Sequence, residues 1–266
     1  MTTGAAGAAL FVKCRYYTAK REVEQLARLA LKDGRAFEDY LRAKHKGEET
    51  TSSLRAATEI PLSAAELALR LLEQLPEARA TCPRPMGADL DVGAHLLEAS
   101  VRANLRLVKT NLRLFPEGWS EGETRLSNAL ARSEERERYR QVFQEIRTVA
   151  VIGISGNTDK PAYYVPAFLK ARGYIIWGVR PDGRSELAER TATDLPSLGG
   201  TPDLVLLFRK SESISEHLDE LLAVQPKVVW MQQGIQNEEV TTTLQARGVI
   251  VVSNRCAKLE FQRVCY

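Results

Sequence analysis

Apolar residues in the first half of the chain recur every three or four positions, which is the spacing of one face of a helix. Leu26, Ala30, Phe37 and Tyr40 fall near one face of a segment covering about residues 21–43. This spacing predicts an amphipathic helix whose apolar face packs against other helices.

Two further helices are predicted in this half. The first is expected to begin at Pro61, because proline suits the first helical position, and it carries an apolar row through Leu67, Leu71 and Leu75. The next runs from Val92 onward, is expected to end at Pro116 with Gly118, and is apolar on two faces. Its first face has spacings of four and three, and its second face consists of Leu96, Ala99, Ala103 and Leu107. A helix with two apolar faces belongs inside a bundle or at a subunit interface.

The pattern changes after Arg147, where short apolar runs rich in Val, Ile and Leu alternate with segments compatible with helices. Such alternation predicts right-handed βαβ units and a parallel sheet covered on both faces. The expected strands are 149–152, 174–179, 204–208, 228–231 and 249–253, and the expected helices are 163–172, 211–224 and 236–247.

The predicted fold class is therefore α plus α/β, a helical bundle followed by a Rossmann-like parallel-sheet domain. We expect a helical domain over residues 1–116, a charged helical connector over 117–140 and a Rossmann-like domain over 141–266. The connector is expected to expose its charges to solvent.

Composition narrows the possible functions. The net charge of +3 over 266 residues is small, so nucleic acid is not expected as a partner. No apolar run approaches the roughly 18 residues of a membrane helix, so no membrane partner is expected either. Four cysteines form neither a CxxC pair nor a zinc spacing. We expect a cytoplasmic protein without a metal site, and no complete catalytic constellation is visible.

The turn after the first predicted strand carries the clearest chemistry. Gly153 and Gly156 allow close backbone approach, while Ser155 and Asn157 offer side-chain hydrogen bonds. A helix follows this turn, and the amide groups at its start attract phosphate. The segment is not GxGxxG, and as an isolated motif it is equally compatible with an ordinary turn.

Other predicted strands end in residues that suit a phosphorylated ligand. The carboxyl ends of parallel strands lie at one edge of the sheet, and ligands of such sheets bind beyond this edge. Ordinary loop polarity could explain any one of them, but together they favour an adenine nucleotide with several phosphates. These residues are Arg180, Pro181, Phe208, Arg209, Met231, Gln232 and Cys256.

Residues from about 140 to 266 resemble the small bacterial CoA-binding domain proteins related to the CoA-binding domain of the succinyl-CoA synthetase alpha subunit. The most specific matching pieces are Trp230-Met231-Gln232-x-Gly234 and Arg255-Cys256-x-Lys258-x-Glu260. The resemblance implies that coenzyme A, free or as an acyl-CoA, binds with its phosphates over Ser155, Gly156, Asn157 and Lys160. It places Pro181 and the Phe208-Arg209 loop along the ligand, and it usually has Asn where this chain has Arg180.

The expected cofactor-binding residues combine the strand-end residues with this resemblance. They are Gly153, Ile154, Ser155, Gly156, Asn157, Lys160, Arg180, Pro181, Phe208, Arg209, Met231, Gln232 and Cys256. The phosphorylated histidine of the synthetase belongs to a region that this chain does not match.

Residues 4–115 resemble the cyclodeaminase and cyclohydrolase family that acts on tetrahydrofolate one-carbon adducts. The resemblance rests on Gly4-Ala-Ala-Gly-Ala-Ala-Leu, Asp33-x-x-Ala36-Phe37, Asp91-Val92-Gly93-Ala94 and similar pieces. The Gly-rich opening typical of that family does not occur after Met1, and Leu90 and Leu107 stand at family positions that are usually Ser and Asn. The resemblance implies a scaffold that forms a homodimer.

Three functions remain open from the sequence. The first is a CoA or acyl-CoA binding protein whose helical domain serves dimerisation or partner binding. The second is a folate cyclodeaminase or cyclohydrolase that the CoA-binding domain regulates. The third is an NAD(P)-binding Rossmann module, which is the least favoured because Arg180 stands where an acidic residue would hold the ribose.

Overall fold

The computed structural model describes residues 20–266, which form two compact units. The first unit contains the described residues up to Arg138 together with Gln262–Tyr266, and the second is Tyr139–Phe261. The Gly4 to Leu10 motif therefore lies outside the described residues. A helical half followed by a parallel sheet confirms the predicted fold class. No described helix has the length and apolar character needed to cross a membrane.

Long helices build the first unit. Helix α2 packs against both α1 and α4, and its leucines fill the centre of the core. Helix α5 begins in this unit, and its residues after 138 belong to the second unit. The helices are α1 (Lys20–Lys46), α2 (Thr51–Glu73), α3 (Leu75–Thr81), α4 (Gly87–Leu112) and α5 (Ser120–Glu145), with a 3₁₀ turn at Arg84–Met86.

The prediction that a helix begins at Pro61 is wrong, because Pro61 lies buried inside α2, which begins at Thr51. Proline has no N–H group, so it cannot donate to the carbonyl oxygen of Ala57 one turn earlier. The Asn111 side chain of α4 donates to that oxygen over 3.1 Å. A hydrogen bond from a neighbouring helix thus replaces the missing one.

The apolar face of α1 differs in one residue from the predicted face. Leu26 and Tyr40 are buried as expected and Ala30 is half-buried, but Phe37 is exposed. Ala36 is buried instead. Phe37 lies at the edge of the face, where neighbouring helices do not cover it.

The charges of the segment 117–140 are partly used in ion pairs with α2. The Arg125 guanidinium lies 2.6 Å from Glu59 and 2.8 Å from Glu66, and Arg132 lies 2.7 Å from Glu73. Hydrogen bonding to Glu66 raises the pKa of Arg125 against the opposing effect of burial. The row of arginines therefore holds α5 along α2, a role that the mixed charge pattern does not reveal.

The second unit contains a parallel sheet of six described strands in the order β3-β2-β1-β4-β5-β6. Five strands match predicted runs, whereas the short β3 was not predicted. The strands are β1 (Thr148–Ile152), β2 (Ile175–Val179), β3 (Arg190–Ala192), β4 (Leu204–Leu207), β5 (Val228–Met231) and β6 (Ile250–Val252). Because β1 lies at the centre, the chain reverses its direction of strand addition there, and ligands bind beside such a point.

Short helices cover this sheet. The predicted helix 211–224 is divided into two 3₁₀ turns, Ser211–Ser213 and Ser215–His217, and a final helix. The last helix of the chain was not predicted, and its end belongs to the first unit. The helices are α6 (Pro161–Lys170), α7 (Leu218–Val224), α8 (Glu238–Gln245) and α9 (Ala257–Val264).

The Asp203 carboxylate joins the amino ends of three strands. One oxygen accepts hydrogen bonds from the Arg147 amide at 2.9 Å and from the Thr148 amide and hydroxyl at 3.0 Å each. The other oxygen lies 2.8 Å from Lys227 Nζ, just before β5. Burial alone would raise the pKa of Asp203, but these donors together hold it well below its usual range.

We predict that Asp203→Asn destabilises the protein at pH 7 by about 2 kcal/mol, the typical loss for hydrogen bonds to a charged group. The depressed pKa means that Asp203 contributes stability above its unfolded-state pKa near 3.9, and that this contribution disappears as the pH falls below that value. Urea unfolding between pH 7 and pH 3 measures the effect. The variant should lose less stability on acidification than the wild type does.

Glu186→Gln is the control, because Glu186 is an exposed carboxylate in a loop of the same unit. It should leave the free energy of unfolding within about 0.5 kcal/mol of the wild type. Equal effects of the two substitutions would contradict the assigned role of Asp203.

Candidate functional site

The chain leaves β1 through a turn that neighbouring strands hold in place. The Gly153 amide donates to the Val179 carbonyl oxygen over 3.0 Å, and the Phe208 amide donates to the Ile152 carbonyl oxygen over the same distance. Gly153 has φ of +82°, and a Cβ atom there would lie 2.7 Å from the Phe208 carbonyl oxygen. Only glycine fits this position, so the ends of β1, β2 and β4 meet closely here.

The side chains of Ser155 and Asn157 shape the turn itself. Ser155 Oγ accepts from the Asn157 amide over 3.0 Å, and Asn157 Oδ1 accepts from the Asp159 amide over 2.9 Å. Helix α6 begins directly afterwards with Pro161, and the preceding residue Lys160 gives no side-chain cap to it. The side-chain oxygens of Ser155 and Asn157, which were expected to contact a ligand, thus accept hydrogen bonds within the turn. The amide groups at the start of α6 have no side-chain cap.

Arg180, at the end of β2, reaches this turn from one side. A Cβ atom at Gly156 would lie 3.7 Å from Arg180 Nη1. The same guanidinium donates to Asp182 over 3.0 Å, and Asp182 in turn accepts from the Arg184 amide over 3.2 Å. A cationic group therefore lies beside the turn at its β2 side.

A cleft of about 600 Å³ opens on the β4 and β5 side of the turn. Five of the predicted site residues line it, namely Lys160, Phe208, Arg209, Gln232 and Cys256. Its wall also contains Tyr164 and Lys210, which are not among the predicted binding residues. Tyr164 lies one turn into α6, and Lys210 follows Arg209 after the end of β4. A position near a helix start or after a strand end was the signal in the sequence that could have identified them as lining residues.

The remaining predicted residues do not line this cleft. Ile154 and Met231 are buried in the unit, so a ligand could contact only their backbone. Gly153, Ser155, Gly156 and Asn157 form the turn, and Arg180 and Pro181 lie on its β2 side.

Two polar side chains of the cleft have buried donors without partners among the described residues. Gln232 is 4% exposed; its Oε1 accepts from the Ala257 amide over 3.2 Å, while its Nε2 has no acceptor. Arg209 Nε is likewise buried without an acceptor. A buried donor without an acceptor costs about 1–3 kcal/mol, so a ligand with acceptor oxygens would stabilise this cleft.

The helical unit has a separate small pocket where α1, α2 and α4 meet. Asp33 lines it together with Ser100 and Asn104. Burial raises the pKa of Asp33. Asn104 donates to the Ser100 carbonyl oxygen over 2.8 Å, which fixes the polar wall of this pocket.

Comparison with known proteins finds a family model that matches each half. Residues 147–262 match a CoA binding domain model, and residues 3–119 match a formiminotransferase-cyclodeaminase model. The uncharacterized protein YneT of Bacillus subtilis (strain 168) is 30% identical over 120 residues, which are 45% of this chain and 89% of that protein.

Two solved structures are similar to the second half. The Thermus thermophilus protein described as cell-free ID.343 is 32% identical, with 48% of this chain and 98% of that chain covered and a TM-score of 0.47. A hypothetical protein from Pyrococcus horikoshii OT3 is 25% identical, with 49% and 92% covered and a TM-score of 0.47. The chain belongs to the CoA binding domain family through residues 147–262.

Proposed function

We propose that the second unit binds coenzyme A or an acyl-CoA in the cleft beside the Gly153 turn. The observation that carries this proposal is the pair of buried donors, Gln232 Nε2 and Arg209 Nε, in a cleft that also contains the cations Lys160 and Lys210. Membership of the CoA binding domain family supports the same ligand.

The chemistry of the cleft fits the two ends of this ligand. The pyrophosphate of coenzyme A is a multiply charged anion, and lysine and arginine are the side chains that pair with phosphate. The pantetheine arm carries amide groups, whose carbonyl oxygens can accept from the buried Gln232 amide. Tyr164 and Phe208 supply apolar surface along the same wall.

We propose binding rather than turnover for this cleft. Its described lining residues include neither a carboxylate nor a histidine, so it lacks the usual pair of general acid and base. Cys256 is half-buried at the same cleft and places a thiol near the ligand. The residues are suited to hold a nucleotide thiol and to recognise its polar groups.

We further propose that the helical unit forms a homodimer through an apolar stripe of α4, which consists of Val92, Leu96, Ala99, Ala103 and Leu107. Leu96 and Ala99 of this stripe are half-buried, and the other three residues are exposed. Val92 is 51% exposed and Leu107 is 48% exposed, although both lie in an ordered helix. The stripe faces away from the buried residues of α4 that pack in the core. An apolar row along one solvent-facing side of a helix is typical of a helix interface.

The charges beside the stripe favour an antiparallel pair of α4 helices. Asp89 lies in the amino-terminal half, where Asp91 is already paired with Arg79 of the same unit. The carboxyl-terminal half carries the cations Arg102, Arg106 and Lys109, and Arg113 directly follows the helix. A two-fold axis near Ala99 brings the acidic half of one helix beside the basic half of the other. It also places Val92 against Leu107 across small alanines, which permit close approach.

The formiminotransferase-cyclodeaminase match supports a second candidate function, one-carbon chemistry on a folate by the helical unit. The pocket beside Asp33 has a volume of about 20 Å³ and would have to widen to admit such a substrate. The formiminotransferase-cyclodeaminase match covers this unit, and burial raises the pKa of Asp33. A carboxyl with a raised pKa beside polar groups is a candidate general acid or base. In this reading the CoA-binding unit regulates the helical one.

We predict that coenzyme A raises the midpoint of thermal unfolding and that NAD does not. Lys160→Ala should weaken coenzyme A binding about tenfold in calorimetric titrations, the usual loss for one charge-assisted contact. Arg247→Ala is the control, since it removes the same charge from an exposed site that precedes β6. A shift with NAD but none with coenzyme A would contradict the proposal.

We predict that the wild type is a dimer in light scattering after size-exclusion chromatography. Leu107→Glu should weaken the dimer about 100-fold, because each interface would contain two buried and unpaired carboxylates. Leu31→Glu, the same change at a leucine of α1 that is 74% exposed, should leave the dimer intact. Dissociation by Leu31→Glu alone, or a monomeric wild type, would contradict the proposed surface.

We predict that, if the helical unit turns over folates, the purified full chain converts 5,10-methenyltetrahydrofolate, followed by its absorbance. Asp33→Asn should lower the rate at least about 100-fold, within the range expected for loss of a general acid or base. Asp39→Asn, at an exposed position of the same helix, is the control. No conversion by the wild type would rule out the second candidate and leave the CoA proposal untouched.

A further inference from the structure

Two arginines lie on opposite sides of the Gly153 turn. Arg209, after β4, comes within 3.6 Å of a Cβ atom built at Gly153, and Arg180, after β2, comes within 3.7 Å of one built at Gly156. The strand order places β1 between β2 and β4, so the two arginines approach the turn from opposite sides. Arg209 belongs to the cleft, whereas Arg180 lies on the β2 side, outside its lining.

In Rossmann-like sheets, the residue at the end of the second strand contacts the ribose of the bound nucleotide. An acidic residue at this place pairs with free ribose hydroxyls. An arginine suits a ribose that carries a phosphate instead. In this chain Arg180 directly follows β2, and its guanidinium already points to the turn where the pyrophosphate is proposed to bind.

We propose that Arg180 binds the phosphate on the ribose and makes this site selective for 3′-phosphorylated adenine nucleotides. Coenzyme A carries that phosphate, and its 3′-dephospho form does not. The inference rests on the proposed function, because it assigns the nucleotide end of the same ligand. The ligand then crosses the turn, with its pyrophosphate near Lys160 and its ribose near Arg180.

The hydrogen bond to Asp182 positions the Arg180 guanidinium and leaves most of its N–H donors available for a phosphate. Its Nη2 donates to Asp182, whose other oxygen accepts from the Arg184 amide, so the aspartate is itself fixed. The guanidinium has five N–H donors, of which this contact takes one. The pair is partly exposed, with 29% of the Arg180 side chain and 53% of the Asp182 side chain accessible. Such pairs contribute little by themselves, whereas a phosphate dianion binds the guanidinium fork at two points.

The test compares coenzyme A with 3′-dephospho-coenzyme A by calorimetric titration of the full chain. The wild type should bind coenzyme A at least about tenfold more tightly, and Arg180→Gln should reduce this ratio to about one. The affinity for 3′-dephospho-coenzyme A should change less than about twofold in the variant. Arg180→Lys should keep part of the preference, because it retains the charge but loses the two-point contact.

Arg184→Gln is the matched control, since it removes a neighbouring exposed arginine and should preserve the preference. Adenosine 3′,5′-bisphosphate against adenosine 5′-monophosphate gives a second comparison without the pantetheine arm. Equal weakening of both forms of coenzyme A by Arg180→Gln would overturn the inference, as would an unchanged ratio. A wild type that binds both forms equally would overturn it while keeping the proposed function, and one that binds neither would overturn both.

Discussion

The Asp203 carboxylate fixes the amino ends of the central strands, and the geometry of the site depends on this. It accepts from the backbone before and at the start of β1, and it pairs with Lys227 before β5. The backbone of Asp203 also continues the ladder, because its carbonyl oxygen accepts from the Val228 amide over 3.0 Å. One residue therefore sets the register of β1, β4 and β5, and a one-residue slip would send each side chain to the opposite face.

At the opposite edge of the sheet, the strands lead into loops whose polar groups are not all hydrogen-bonded. The buried donors of Gln232 and Arg209 have no acceptor among the described residues. Gly153 is the point where the fixed and the open parts meet, since its backbone is bonded to β2 and packed on Phe208. The amino ends of the strands are thus held by hydrogen bonds, whereas hydrogen-bond donors at the carboxyl ends lack acceptors. Ligands of parallel sheets bind beyond these carboxyl ends.

The sequence predicted the two-part fold and five strands because helical periodicity and runs of β-branched residues are local signals. It missed β3, whose three residues carry no apolar run, and it misplaced the start of α2, since the bond from Asn111 to Ala57 is made by a residue 54 positions away. Several residues that follow strand ends and were predicted to bind a ligand do line the cleft. It could not show that Ile154 and Met231 are buried, or that Arg180 lies on the other side of the turn, because those facts depend on packing.

The hydrogen bond from the Ala257 amide to Gln232 Oε1 determines which way the Gln232 amide faces. If the amide turned over, its NH₂ group would meet an N–H donor, so the orientation is locked before any ligand arrives. If coenzyme A binds in this cleft as proposed, the side chain loses little conformational entropy on binding, which is a large part of the cost for a flexible glutamine. The contact buried behind the cleft would then favour binding through preorganisation, and its effect would appear mainly as slow release of the ligand.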